Sequence, residues 1–211
     1  MYNVCNDFSL KIDRRTLRRR VMKSIYVLLT RTGTIVSRMI YVITADPYTH
    51  SCISFDDGLD TLYSFTRKYP RLPLPAGLYT ESLYSGNLKR FGYMPCALYE
   101  LKVEDDIYEA VKGDVESMMA DDINYKYNLI GLALCKFGIP HRRKRHYFCS
   151  QFVSEVLKRN GAYEMPKDTS LMRPMDYLDL PDFECVFSGD LKTLAQNREA
   201  IFAGEFNLIS A

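Results

Sequence analysis

The sequence predicts an α+β fold, and three observations carry that expectation. Runs rich in β-branched and aromatic residues mark strands at 24–31 and 96–103. Two alternating runs on either side of Asp56, Asp57 and Gly58 have the pattern of a β-hairpin, because glycine tolerates the positive φ of a tight turn. Apolar residues then recur with helical spacing over 106–119, 127–137 and the stretch that begins at Cys149.

In chain order, residues 1–22 are polar and basic without a sustained period and read as an N-terminal arm. The remainder, 23–211, is expected to be a single domain, since one core serves about 100–200 residues. SIYVLLTR at 24–31 has the composition of a buried strand and is broken by Thr32, Gly33 and Thr34. The Thr34 hydroxyl suits the N-cap of a helix from 35 to about 43, closed by Asp46 and Pro47. The hairpin follows. Residues 69–95 hold four prolines, three glycines and many tyrosines, so a long irregular surface excursion is expected there. CALYELKV at 96–103 is the next strand, and Ile107, Ala110, Val111, Val115 and Met118 line one face of the helix after it. A second helix stops at Gly138 and Pro140, and the basic run HRRKRH comes next. Phe152, Val153, Val156 and Leu157 give a third helix its apolar stripe, with Gly161 as its stop. Residues 182–187 and the segment after Gly189 are ambiguous.

The formal charge is only +2, so no overall field draws the chain to nucleic acid. Basic charge is local, at Arg14, Arg15, Arg18, Arg19 and Arg20 and again at Arg142, Arg143, Lys144 and Arg145. Such runs are ordinarily solvated faces. The six cysteines form no CxxC pair, which removes zinc-knuckle and dithiol readings. With no secretory leader in the sequence, reduced thiols and a cytoplasmic location are expected. The early apolar run at 25–29 falls far short of the ~20 residues of a membrane helix.

Cys149 opens a helix. The free amides and the positive end of the helix dipole favour a thiolate there, and a backbone amide at the same place can receive an oxyanion. The basic residues 142–146 are expected to push the same way. A thiol nucleophile needs an imidazole, and the chain has three histidines: His50 at the start of a strand, and His141 and His146 in the basic run. His50 is the first candidate for the base and His146 the second. The plain alternative is a buried structural cysteine and a strand histidine with no chemistry.

The segments PYTHSCISFDDGLDTLYSFTRKYP, KYNLIGL, YFCSQFVSEVLKRNG and LMRPMDYLDLP together resemble the circularly permuted branch of the NlpC superfamily of papain-like proteins. The YiiX-like members are nearest, and lecithin:retinol acyltransferase is more distant. The likeness covers roughly residues 24–190. In the ordinary papain order the cysteine helix precedes the histidine strand; here the strand comes first, as permutation requires. The resemblance implies an antiparallel sheet bearing the histidine, packed on the helix that bears the cysteine. It makes Cys149 the nucleophile and His50 the base, and asks for a third polar residue on the following strand to orient the imidazole. Ser64 occupies the nearest position, with Asp56, Tyr63 and Glu81 as substitutes. Tyr125 and Tyr127 lie where relatives carry a tyrosine that supports the oxyanion.

The function so implied is that of a thiol hydrolase, an amidase or peptidase, or an acyltransferase working through a thioester. It needs no metal or organic cofactor. Its substrate would be a small molecule, peptide or lipid with an amide or ester bond. Two other readings stand beside it: a papain-like fold kept as a binding module without chemistry, and a basic surface for nucleic acid or anionic membrane.

Overall fold

A computed structural model describes residues 21–31, 46–67, 76–84, 93–121 and 125–206. Residues 1–20 of the expected arm and the whole expected helix at 35–43 lie outside the described residues.

The chain is α+β. Its main sheet has six antiparallel strands in the order β4-β3-β2-β1-β5-β8, from β1 (Met22–Thr30), β2 (His50–Ser54), β3 (Leu62–Arg67), β4 (Ala76–Glu81), β5 (Pro95–Glu104) and β8 (Phe183–Asp190). Two short parallel strands, β6 (Lys126–Tyr127) and β7 (His146–Tyr147), form a separate pair. The helices are α1 (Asp105–Ala120), α2 (Leu129–Lys136), α3 (Cys149–Arg159) and α4 (Leu191–Phe202).

The sheet is covered on both faces, which explains the unbroken apolar run in β1. Ile25, Val27 and Leu29 enter one core with Val111 and Val115 of α1 and Phe152, Val153, Val156 and Leu157 of α3. Tyr26 and Leu28 point the other way, into a second core with Leu191, Leu194 and Ile201 of α4. A strand with solvent on one side would alternate with polar residues; a central strand between two layers has no need to. Each fully buried aliphatic or aromatic side chain here contributes about 1.5–3 kcal/mol.

Helix α3 is held by side-chain hydrogen bonds as well. Tyr177, wholly buried in a 3-10 turn (Pro174–Asp179), places its hydroxyl 2.8 Å from Ser154 Oγ and 3.2 Å from the Ser150 carbonyl oxygen. Ser150 Oγ donates to the Met172 carbonyl at 2.7 Å. Gly161, at φ +72°, ends the helix as expected, in the left-handed conformation that glycine adopts without a Cβ penalty. Tyr177→Phe is expected to lower stability by about 1–2 kcal/mol, read as a shift in urea midpoint at constant slope.

Two expectations need correction. The hairpin between β2 and β3 is present, but the residue with positive φ is Leu59 (51°) and not Gly58. A Cβ at Gly58 would lie 2.7 Å from Asp56 Oδ1 and 2.8 Å from Asp60 Oδ2. The expected irregular excursion at 69–95 contains a true strand: β4 pairs with β3 along its full length, from Arg67↔Ala76 to Leu62↔Glu81. Its neighbours are rich in turn formers, and that composition hid six residues of edge strand. The ambiguous segment near 182–187 is β8, and α4 follows it. No helix among the described residues is long and apolar enough to cross a membrane.

Candidate active site

Strand alternation assembles the first half of the site. His50 and Cys52 stand two residues apart on β2, and Ser64 and Thr66 two apart on β3, so each pair projects from one face of its strand. Glu81 ends β4 and reaches across to all four. Its Oε2 lies 3.1 Å from His50 Nε2 and accepts from Ser64 Oγ at 2.8 Å and Cys52 Sγ at 3.5 Å, while Oε1 accepts from Thr66 Oγ1 at 3.4 Å. The position of β4 is itself fixed by a close approach. A Cβ on Gly77 would come 2.4 Å from the Tyr125 carbonyl oxygen, so only glycine lets this strand lie against the chain that leads to β6.

The second half comes from α3. Cys149 is its first helical residue after the N-cap Phe148 and is 2% exposed. Helix α3 packs against β2 and β3, and the Cys149 side chain meets the His50 imidazole in a hydrogen bond. Glu81 occupies His50 Nε2, which leaves Nδ1 as the nitrogen available to the sulfur. The backbone N–H groups of Ser51 and Ser150 also donate to the Cys149 sulfur. The first amides of a helix have no intrahelical acceptor, so the Cys149 N–H is placed to receive an anion beside the thiol.

The electrostatics follow from these contacts. Burial alone would raise the Cys149 thiol, but the hydrogen bond and charge of His50 and the two amides outweigh it and hold the thiol below its ordinary value. Burial would likewise discharge His50; the Cys52 and Cys149 sulfurs and the Glu81 carboxylate reverse this and raise it well above 6.5. Glu81 is lowered in spite of burial, through His50, Ser64 and Cys52. Cys52 is pushed up to about 11, chiefly by burial, so near neutral pH it is a thiol. All three shifts favour the charged form: thiolate at Cys149, imidazolium at His50 and carboxylate at Glu81.

Of the residues expected from sequence, Cys149 and His50 meet directly. Ser64 is in the site, but its hydroxyl binds Glu81, and it is Glu81 that holds the ring. Asp56 instead organises the hairpin turn, accepting from the Asp60 amide at 3.1 Å, and Tyr63 packs on Phe55. His146 donates its Nδ1–H to the Lys144 carbonyl at 2.9 Å. Tyr125 and Tyr127 pack on the edge of the first core, Tyr125 against Phe65 and Tyr147. The leading causes that lower the Cys149 thiol are His50 and the two amides rather than the basic run, in which Arg142 is paired with Asp168 at 3.1 Å and with Glu155 at 3.8 Å. Cys52 was not singled out from sequence, although its spacing of two from His50 carried the signal.

Among the described residues, His50, Cys52 and Glu81 also form a group that could hold a metal ion, with ligand atoms all within 4.8 Å of one another. Neither protein-family models nor curated proteins give a match to this sequence.

Glu81→Gln tests the role of the carboxylate as a positioning residue. The amide oxygen can still accept from Nε2–H, so the ring keeps its place while the negative charge is lost. The expected result is a loss of about 10–100-fold in Cys149 alkylation at neutral pH, with the pH profile displaced upward. A purely structural role for Glu81 would alter stability and leave that profile where it was.

Proposed function

We propose that this chain is a thiol acyl-transfer enzyme, cleaving an amide or ester as a hydrolase or passing the acyl group to a second acceptor, on a permuted papain-like fold. The observation that carries the reading is the buried line Cys149, His50, Glu81, in which a cysteine at a helix N-terminus touches an imidazole whose other nitrogen is held by a carboxylate. The chain order, with the histidine strand before the cysteine helix, supports the permuted assignment.

In the forward step the Cys149 thiolate attacks the carbonyl carbon, and the electron pair of the C=O bond moves to oxygen. The amide of Cys149 and the positive end of α3 stabilise that oxyanion. As the tetrahedral intermediate collapses, His50 gives its proton to the leaving amine or alcohol and the C–N or C–O bond breaks. The thioester remains. Neutral His50 then takes a proton from water or from an acceptor hydroxyl or amine, which attacks the thioester and releases the thiolate. Glu81 keeps the imidazole in one tautomer and orientation throughout, and offsets its positive charge when it carries two protons.

The test is covalent trapping. After incubation with p-nitrophenyl acetate and acid quench, intact mass is expected to show one acetyl group, and peptide mapping to place it on Cys149. Acetylation spread over all six cysteines, or none at Cys149, would remove the reading.

A second reading rests on the His50, Cys52 and Glu81 cluster as a zinc site. It predicts that the purified chain binds one zinc ion in equilibrium dialysis and that Cys52→Ala loses it. The thiol reading instead has Cys52→Ala keep Cys149 reactive.

A further inference from the structure

The stretch 125–154 carries six lysines and arginines and no acidic residue, in a chain whose formal charge is +2. The same stretch holds Leu129, Ile130, Phe137 and Ile139, half of the exposed large apolar side chains among the described residues. Phe137 is 72% and Ile130 59% exposed. These are not scattered. Residues 129, 130, 133 and 137 recur with helical spacing on one side of α2 and its C-cap, while Gly131 and Cys135 bury the opposite side.

The cations surround that face. Lys126, Lys136, Arg143, Lys144 and Arg145 are exposed and make no ion pair among the described residues, whereas Arg142 is taken by Asp168 and Glu155. The turn that carries them is rigid. The His146 amide donates to the Arg143 carbonyl at 3.0 Å, the Lys126 amide to the Arg145 carbonyl at 3.0 Å, and Arg145 adopts φ +61°. A protein this size has no need to expose a phenylalanine and three aliphatic residues in one place unless something covers them.

We propose that α2 and the basic turn after it form a docking surface for an anionic lipid bilayer. An apolar helix face rimmed by lysine and arginine matches such a surface on both counts. The aliphatic and aromatic side chains enter the boundary of the acyl chains, and the cations meet lipid phosphates and carboxylates. A second copy of this chain is a poorer occupant, because apposing two of these faces brings like charges together. The surface is joined to the candidate active site: Nδ2 of Asn128, the N-cap of α2, donates to Gln151 Oε1 of α3 at 3.3 Å, and β7 runs directly into Cys149. Docking there would bring the thiol to the bilayer surface.

The experiment is sedimentation of the full chain with vesicles of equimolar phosphatidylcholine and phosphatidylserine, and with phosphatidylcholine alone. The chain is expected to sediment with the anionic vesicles only, and less so as salt rises. Replacing Arg143, Lys144 and Arg145 by glutamine should weaken partition about 100-fold, at roughly fivefold per cation. Ile130→Asp with Phe137→Asp should weaken it by about tenfold or more. Both variants change exposed residues, and an unaltered thermal midpoint shows that they are folded. Cys149→Ser should sediment like the parent, which separates docking from the thiol chemistry. The proposal is overturned if the chain ignores anionic vesicles. It is overturned equally if binding survives both variants and is lost only when Arg14, Arg15, Arg18, Arg19 and Arg20 are replaced. A dimer in sedimentation velocity that the apolar variant dissolves would also overturn it, by assigning the face to a second copy.

Discussion

Cys149→Ala is expected to lower acylation by activated esters by about 10⁴-fold or more, because the atom that forms the covalent bond is gone and no other thiol among the described residues shares its setting. Cys52 is the nearest substitute, yet burial pushes its thiol up to about 11, which leaves it protonated at neutral pH. Cys96 and Cys135 are buried and raised as well, Cys135 to about 11. The rate is measured as p-nitrophenol release under excess ester, with adduct mass as the second readout. The fold should survive the change. Cys149 is small, and its neighbours Phe152 and Val153, which carry the packing of α3, remain. Loss of the thiolate does leave His50 and Glu81 as a buried ion pair with one partner fewer, so a modest fall in stability accompanies the loss of activity. A variant that is unfolded would make Cys149 a structural thiol. A folded variant with parental ester turnover would place the chemistry on another residue.

The parts of this site that the sequence disclosed are those written in local patterns. A helix stripe beginning at residue 152 with a stop at Gly161 locates Cys149 at a helix tip without any knowledge of the fold. The alternating runs about Asp56–Gly58 place His50 on a strand. What stayed hidden depends on pairing between distant segments. Glu81, named from sequence only as one of three substitutes for the third position, joins His50 because β4 pairs with β3 in the register Leu62↔Glu81, and β4 sits among prolines and glycines that read as loop. With that strand unrecognised, Ser64 was the nearest polar residue to the expected third position. The hydroxyl does belong to the site, one hydrogen bond further from the ring. Likewise, burial of both faces of the sheet was not legible, since a strand between two helical layers and a strand in a single buried face share the same apolar run. The exposed face of α2 illustrates the converse: its period was plain, but which side lay open could be known only once Gly131 and Cys135 were seen packed inward.

His50→Ala is expected to reduce ester turnover by about 10³–10⁴-fold and to change the pH dependence of Cys149 in a definite direction. In the parent chain the thiol is held below its ordinary value of 9.0 and the imidazole well above 6.5, and both shifts extend the pH range over which thiolate and imidazolium coexist. Alkylation of Cys149 by iodoacetamide should therefore persist to lower pH than that of an unpaired thiol and fall as pH drops through the lowered thiol value. Without His50 its main stabiliser is lost while burial still opposes ionisation, so the thiolate fraction at pH 7 falls. Alkylation should then climb with pH to beyond 9. The linkage to stability has opposite signs for the two groups. The raised imidazole contributes stability that is complete below 6.5 and fades as pH rises through its folded value; the lowered thiol contributes stability that is complete above 9.0 and fades as pH falls through its own. Removing His50 should thus cost the most within the window where both are charged, measured as the difference in urea stability between parent and variant across pH. If the alkylation profiles of the two proteins coincide, the imidazole is not the partner of this sulfur, and His146→Ala becomes the variant to compare.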